Sequence, residues 1–290
     1  MKNRLRWILL CVGLLAAVLL PAQTKRALVI GLGQQTDRSW SKINGDRDVP
    51  VVRKMLTAAG FRQIQTLVNR QATKAGIVSA FRRLTAQCRR GDIVYIHFSG
   101  HGQQMTDLDG DEPDRLDEAW IPYDAYKKYG VRDRGEKHLS DDELARMLTA
   151  VRQRIGATGS ILVVVDACHS GSSTRGEVGD SVAVRGTWDR FVIPQTGQSK
   201  SVAGTSQHWM TISACKDYQN NYELAGLRMG KLTCGLVQAV GSRRGLTNQQ
   251  VEEALKQFMR RNPGRAPQTP VLSGTTGGKC IADILQPLKK

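Results

Sequence analysis

The sequence predicts an α/β fold in which a mostly parallel sheet carries helices on both faces. Short apolar runs alternate with segments of helical periodicity along the 290 residues, which is typical of parallel strands joined by crossover helices. Two of the runs end in glycine-flanked polar motifs followed by long loops, and open parallel sheets bind ligands at such strand ends. We find no internal repeat and no clear linker, so residues 23–290 are predicted to form one domain.

The first 22 residues are predicted to be a secretory signal peptide. Lys2, Arg4 and Arg6 precede an apolar run of 14 residues, 7–20, and Ala22 offers a small residue for cleavage. A basic start, a short apolar run and a small-residue end are the marks of such a peptide. The run is shorter than the roughly 20 residues of a membrane-spanning helix. The mature protein is therefore expected to be secreted or periplasmic, without a membrane span.

The strands are predicted from continuous apolar runs, which are typical of strands buried on both faces. In chain order these runs are residues 26–33, 63–68, 92–98, 161–165, 208–214 and 269–273. Helices are predicted between them from apolar residues spaced three and four apart. They cover residues 46–60, a segment beginning at Thr73, residues 141–155 with Ser140 as the N-cap, and residues 232–240 and 248–260. Residues 103–137 and 171–204 are predicted to be long loops.

The composition argues against nucleic-acid binding. The chain has 42 Lys and Arg against 26 Asp and Glu, a net charge of +16. Loss of the three basic residues before residue 23 leaves 39 − 26 = +13. The basic residues are scattered, and aromatic residues make up only 6%, so there is little to stack on bases. A solvated basic surface is the better interpretation.

Five cysteines follow the predicted signal peptide, and no CxxC spacing occurs among them. In an exported protein an odd count leaves at least one cysteine outside intramolecular disulfides. Five cysteines in a chain of this length do not form a disulfide scaffold, and their spacing selects no pairing. They are Cys88, Cys168, Cys215, Cys234 and Cys280.

Two motifs at strand ends carry the predicted chemistry, "SGHG" with His101 and "DACHSG" with Cys168. If the two strands are neighbours, both side chains emerge at one edge of the sheet. A thiol needs a nearby base because its ordinary pKa, about 8.5, leaves little thiolate at neutral pH. Either residue alone would suggest a turn histidine or a buried cysteine, but together they favour a catalytic dyad. The backbone N–H groups of Gly102 and Cys168 are predicted to stabilise the oxyanion.

The motifs "YIHFSGHG", "DLDGDEPDRLDEAWIPYD", "LSDDEL" and "VVVDACHSG" resemble, in this order, those of the metacaspases, which are caspase-like cysteine peptidases. The resemblance runs from about residue 26 to residue 171. It implies the caspase-like three-layer sandwich, a dyad of His101 and Cys168, and cleavage after Arg or Lys in protein or peptide substrates. The dyad itself needs no cofactor.

The basic substrate side chain is expected to meet a pocket of carboxylates. Asp166 lies two residues before Cys168 on a strand and so emerges on the same face, where a carboxylate can pair with Arg. The resemblance implies a second acid after the first strand, for which Asp48 fits best and Asp46 is the alternative. It also places Ser99 in the pocket.

Seven acidic residues lie among the twelve residues 107–118, in a chain with a basic excess. A solvated loop and a Ca²⁺ site both fit this cluster, and the spacing is not that of an EF-hand. The resemblance favours Ca²⁺ as an activator, held by Asp117 and by the pair Asp141 and Asp142. No acid follows the nucleophile at the position that completes such sites in the family.

The second loop contains Arg175, Arg185, Arg190 and Lys200, where a protease specific for basic residues could cut itself, since exposed loops are the usual sites of nicking. Two alternatives stay open. The chain could be a clostripain- or legumain-like peptidase with another preference, or a catalytically silent module that binds partners.

Overall fold

The structure is a computed structural model. It describes residues 23–110, 112–168, 183–194, 208–224, 226–277 and 279–286. The predicted signal peptide, residues 1–22, lies outside the described residues. None of the helices in the described ranges is both long and apolar enough to cross a membrane.

The described residues contain eleven strands and six α-helices. The strands are β1 Lys25–Gly31, β2 Gln63–Val68, β3 Ile93–Ser99, β4 Gly102–Thr106, β5 Leu116–Trp120, β6 Leu139–Ser140, β7 Ser160–Asp166, β8 Met210–Ser213, β9 Glu223–Leu224, β10 Met229–Gly230 and β11 Val271–Gly274. The helices are α1 Gly45–Ala58, α2 Lys74–Gln87, α3 Asp141–Ile155, α4 Lys231–Ser242, α5 Asn248–Arg261 and α6 Ile281–Ile284.

A six-stranded sheet forms the centre, in the order β11-β8-β7-β3-β1-β2. All neighbouring pairs are parallel except β11 with β8. The central strands β1, β3 and β7 are buried along their whole length. This confirms the prediction of a mostly parallel sheet built from continuous apolar runs.

Alternate residues of each central strand face opposite layers, as the strand period of two requires. On β1, Ala27 and Val29 pack with α1, α4, α5 and α6, whereas Leu28 and Ile30 pack with α2 and α3. Burial of these two apolar faces against helices drives the assembly. The fold is therefore the predicted three-layer sandwich.

The observed helix starts agree closely with those predicted from the sequence. The side chains of Thr73 and Ser140 accept hydrogen bonds from the N–H groups of Gly76 and Glu143 and so cap α2 and α3. Helix α3 also has three acidic residues in its first turn, where the helix dipole favours negative charge.

The interpretation of residues 103–137 as one long loop is wrong. They include most of a hairpin, β4 and β5, which pairs with β6 in a second, three-stranded sheet. Its residues are largely polar, and the acidic stretch lies at its turn, so no apolar run marks the strands. Short elements such as β9, β10 and α6 also went unpredicted, because too few residues carry a periodic pattern.

Candidate active site

The two predicted motifs lie side by side. Strands β3 and β7 are parallel neighbours, and Ser99 at the end of β3 is in register with Asp166 at the end of β7. His101 and Cys168 each follow two residues later, and so both emerge at the carboxyl edge of the sheet.

The His101 imidazole is fully buried and held in one orientation. Its Nε2 lies 2.8 Å from the Ser41 carbonyl oxygen, which fixes the proton on that nitrogen. Its Nδ1 is buried without a hydrogen-bond partner among the described residues. The ring stacks on Trp40 with centroids 4.9 Å apart. Burial, together with the charges of Arg185 and Lys127, lowers the pKa of His101 to about 4. The neutral ring therefore offers Nδ1 as a proton acceptor.

The Cys168 side chain is buried at the end of β7, 1% exposed. Its Sγ donates to the Gln219 carbonyl oxygen at 2.8 Å, and the Cys215 Sγ donates to the same oxygen at 3.2 Å. The hydrogen bond with Cys168 and burial raise the pKa of the Cys215 thiol. None of the five cysteines after residue 22, all of which are described, forms a disulfide.

A buried arginine of the chain itself occupies the predicted carboxylate pocket. The Arg185 guanidinium lies 2.7 Å from Asp48 and 3.5 Å from Asp166, and Glu223 is a third carboxylate at 2.9 Å. Ser99 Oγ accepts a further hydrogen bond from it. Burial disfavours the charged guanidinium, but the three carboxylates outweigh burial and raise the pKa of Arg185.

The pocket carboxylates are themselves held by donors. Asp166 accepts the N–H of Thr233 at 2.8 Å, its hydroxyl at 2.6 Å, and Asn221 Nδ2 at 2.8 Å. Burial would raise the pKa of Asp166, but Arg185 and these donors outweigh it and lower the pKa. Burial and the charge of Asp166 raise the pKa of Asp48 despite Arg185. Asp166 thus holds its negative charge more firmly than Asp48.

The backbone around Arg185 lies in the site as an extended peptide. Its carbonyl oxygen accepts the Cys168 N–H at 2.8 Å, and its N–H donates to the Asn221 carbonyl at 2.9 Å. The neighbouring Val184 pairs with Tyr222 in an antiparallel bridge. Strand-like pairing of this kind is a common way to bind an extended peptide.

The next residue, Gly186, fits closely against the cysteine. A Cβ at Gly186 would lie 2.6 Å from the Cys168 carbonyl oxygen and 3.1 Å from its Cβ. Gly186 also pairs with Gly102 in a parallel bridge, which places the Gly102 backbone beside the Arg185–Gly186 peptide. The role of Gly102 as a second oxyanion donor stays a prediction.

The structure separates the two acids considered for the second pocket position. Asp48 is fully buried at Arg185, whereas the Asp46 carboxylate accepts a hydrogen bond from Asn69 Nδ2 outside the pocket. The sequence interpretation did not identify Glu223, Asn221 or Thr233. Glu223 and Asn221 lie in the segment after β8, and the rule that ligands bind at the ends of parallel strands could have drawn attention to that segment.

The interpretation of Arg185 as an exposed loop residue is wrong. It is fully buried, whereas Arg190 in the same segment is exposed. Arg175 and Lys200 lie outside the described residues. Three carboxylates bring Arg185 inward, and two of them were already predicted to bind a basic side chain.

The acidic residues predicted to hold Ca²⁺ lie near one another. Asp117 on β5 is buried, and burial followed by the charges of Asp141 and Asp107 raises its pKa to about 8. Burial and Asp141 raise the pKa of Glu118 to about 7. In the ranges that the structure describes, which omit Asp111, no three His, Cys, Asp or Glu side chains are arranged to hold a metal ion. Asp117, Asp141 and Asp142 as Ca²⁺ ligands stay a prediction.

Solved structures share this fold. A crystal structure of a protein from Geobacter sulfurreducens superposes with a TM-score of 0.63 and 25% identity, over 91% of this chain and 97% of that one. Caspase-1 from Spodoptera frugiperda gives a TM-score of 0.60 at 11% identity, over 87% and 89% of the two chains. The prediction of a caspase-like fold is confirmed.

The relatives found by sequence similarity include metacaspases. Metacaspase-1 of Coccidioides immitis is 39% identical over 103 residues, and Metacaspase-1B of Neurospora crassa is 37% identical over the same length. The match covers 36% of this chain but only 20% and 22% of those relatives. The profile described as "Metacaspase, peptidase C14 domain" matches residues 25–175, just over half of the chain. The chain therefore belongs to the metacaspases, a family of cysteine-type endopeptidases within peptidase C14.

Proposed function

We propose that the protein is a cysteine endopeptidase that cleaves after Arg and Lys, and that its first substrate is its own Arg185–Gly186 bond. One observation supports this above all others. The Arg185 side chain fills the carboxylate pocket while its carbonyl oxygen accepts the Cys168 N–H at 2.8 Å. A peptide bond is thus held with its side chain in a specificity pocket and its carbonyl against an oxyanion donor.

In this mechanism, Cys168 Sγ attacks the Arg185 carbonyl carbon, and the thiol proton passes to His101 Nδ1. The Cys168 N–H stabilises the negative charge that develops on the carbonyl oxygen. The C–N bond then breaks as His101 gives the proton to the Gly186 amine. Water, deprotonated by His101, hydrolyses the thioester, which frees the Arg185 carboxylate and restores the thiol.

The hydrogen bond from Cys168 Sγ to Gln219 keeps the proton on sulfur. The thiol must leave this bond before His101 can accept its proton.

The basic preference follows from the pocket. Three buried carboxylates need a positive partner, because an isolated buried carboxylate is strongly disfavoured. The guanidinium reaches Asp48 and Asp166 through Nη1 and Glu223 through Nε and Nη2. A Lys ammonium is a compact point charge and cannot span them in the same way, so Arg is expected to be cleaved faster than Lys.

Self-cleavage is tested by mass spectrometry of the purified chain. Wild type is expected to yield fragments that end at Arg185 and begin at Gly186, whereas Cys168→Ala and Arg185→Ala stay whole. Arg190→Ala is the matched control, since Arg190 is exposed on the same segment, and this variant should be cut like wild type. Cleavage in Cys168→Ala would contradict the proposed nucleophile.

Specificity is tested with fluorogenic peptides that end in Arg, Lys or Asp. A Cβ at Gly230 would lie 2.1 Å from Asp166 Oδ2 and 2.5 Å from Arg185 Nη1. Gly230→Ala is therefore expected to lower the turnover of Arg peptides. At Gly226 a Cβ meets nothing within 4 Å, so Gly226→Ala is the control. No turnover of any peptide and no self-cleavage would favour a silent partner-binding module, and preference for another residue would favour the clostripain- or legumain-like alternative.

Two further parts of the proposal are supported by the sequence and the family resemblance. Export is proposed from residues 1–22, and mass spectrometry of secreted protein should show a mature chain that starts at Gln23. Activation by Ca²⁺ is supported by the acidic residues 107–118, and peptide turnover with Ca²⁺ or with EGTA tests it. Equal turnover in the two buffers would remove calcium from the proposal.

A further inference from the structure

The residues that follow the Arg185–Gly186 bond lie along the edge of β4 as an added strand. Two parallel bridges join them to β4, at Gly186 and at Phe191. The Phe191 N–H donates to the Gln104 carbonyl at 2.9 Å, and its carbonyl accepts the Thr106 N–H at 3.0 Å. The segment after the bond is thus bound as closely as the segment before it, by the pairing used in strand addition.

Phe191 is the anchor of this segment. Its side chain is fully buried, whereas Trp188 and Val192 are 43% and 62% exposed. The ring packs against His138, with centroids 4.1 Å apart, and meets Tyr129 edge-on at 6.3 Å. The remaining pocket residues are the apolar side chains of Trp40, Met105, Ala119, Ile121 and Ala125.

One residue of the pocket contacts the proposed dyad. Trp40 belongs to the cluster around Phe191 and also stacks on His101. Lys127, whose ammonium lies 5.5 Å from the Trp40 ring centroid, forms an ion pair with Asp189 of the same segment at 3.4 Å. A side chain in the pocket therefore packs in the same cluster as Trp40, whose ring stacks on the His101 imidazole.

We propose that the pocket around Phe191 is a subsite of the protease that takes an aromatic side chain at the sixth residue after the cleaved bond. Gly186 is the first of these residues and Phe191 the sixth. The ring contacts with His138 and Tyr129 favour an aromatic side chain over an aliphatic one. The subsite first aligns the chain's own bond and then, once the pocket is vacated, the bond of a protein substrate. This inference rests on the proposed protease activity and names a second determinant of its substrates.

Its first test is the rate of self-cleavage in refolded chains. Phe191→Ala removes the anchor and is expected to slow cleavage at Arg185 by roughly tenfold to a hundredfold, since burial of a Phe side chain is worth about 1.5–3 kcal/mol. Phe191→Leu keeps much of the apolar volume, folds more readily and should slow cleavage by less. Val192→Ala changes an exposed neighbour and should cleave at the wild-type rate. Cleavage of all three variants at the wild-type rate would overturn the proposed subsite.

The second test measures the cleavage of added peptides by one folded enzyme. A role of Phe191 in folding alone would not change the relative KM values of two such peptides. Two ten-residue quenched peptides with an Arg-Gly bond differ only in Phe or Ala at the sixth residue after that bond. The processed Phe191→Ala enzyme, whose pocket is vacant, should show a lower KM for the Phe peptide than for the Ala peptide, and Phe191→Leu, whose side chain fills much of the pocket, should discriminate less. Equal KM values would overturn the proposal. Absence of all cleavage by wild type would instead overturn the protease activity, and the subsite with it.

Discussion

Asp166 in the Arg185 pocket and Asp117 in the β4–β5 hairpin are both buried carboxylates, but their pKa values shift in opposite directions. In the pocket, Arg185 and hydrogen-bond donors hold the pKa of Asp166 below its usual value despite burial. In the hairpin, burial and neighbouring carboxylates raise the pKa of Asp117 to about 8 and that of Glu118 to about 7. The largest charge effects on Asp117 come from other acids, of which Asp141 is the first.

The difference shows that the number of carboxylates does not determine how a cluster behaves. Burial disfavours the charged form in both places. At Asp166 a cation of the chain itself and hydrogen-bond donors outweigh that effect, whereas at Asp48 burial and the charge of Asp166 prevail. Removal of the cation from one cluster, or of a carboxylate from the other, should therefore make the two clusters behave more alike.

The largest effect is expected from Arg185→Met in a Cys168→Ala background, which prevents cleavage. Loss of one partner of a buried ion pair typically destabilises by about 3–5 kcal/mol, and urea unfolding at pH 7 should show a loss of this order. Without the guanidinium the folded pKa of Asp166 should rise above its unfolded value, near 3.9. Stability would then be greatest below pH 3.9 and decline as pH rises toward the folded pKa. Unchanged stability at pH 7 would contradict the ion-pair network.

Asp117→Asn is expected to raise the free energy of unfolding at pH 7, whereas Arg185→Met lowers it. The folded pKa of about 8 exceeds the unfolded value, so the native state favours the protonated form. This stabilisation is complete below about pH 3.9 and is lost as pH rises toward 8. At pH 7 the variant should gain on the order of 1–3 kcal/mol and flatten the dependence on pH between 4 and 8. Asp114→Asn, at an exposed hairpin residue, is the control, and an equal gain there would remove the special role of burial.

Thr233→Val tests how much a hydrogen-bond donor to Asp166 contributes to the cleavage of Arg substrates. It removes the hydroxyl hydrogen bond to Asp166 at 2.6 Å and leaves the N–H bond. A hydrogen bond to a charged group contributes about 1.5–3 kcal/mol, so kcat/KM for Arg peptides should fall by roughly tenfold or more. Thr233→Ser retains the hydroxyl and should stay close to wild type. If the serine variant lost as much activity as the valine variant, packing rather than the hydrogen bond would be responsible.

The smallest effect concerns His101. Burial is the main cause of its pKa near 4, and the charge of Arg185 adds to it. Self-cleavage should therefore be independent of pH in the neutral range and fall as pH drops through about 4, when the imidazole becomes protonated. In the Cys168→Ala background, Arg185→Met should raise this pKa slightly, as NMR titration of the His101 ring would show. A lower pKa in that variant would contradict the charge effect.

Most of the fold, and the placement of His101 and Cys168 at one edge of the sheet, could be predicted from the sequence because they depend on local patterns. The apolar runs that became β1, β3 and β7 are continuous, and parallel strands bring their carboxyl ends to one edge whatever their order. Asp166 follows from its position two residues before Cys168. The hairpin β4–β5 could not be predicted, because its polar residues show no strand period.

The amino-acid sequence by itself determined the α/β class, the strand ends that carry His101 and Cys168, and the position of Asp166 beside Cys168. Only the tertiary structure decided that Asp48 rather than Asp46 joins that carboxylate, that Glu223 is the third, and that Arg185 lies among them. Asp48 and Arg185 are 137 residues apart, so no spacing or periodicity relates them. What joins them is charge: three carboxylates can be buried together in ionised form only with a cation, and the chain supplies it at the bond we propose it cuts.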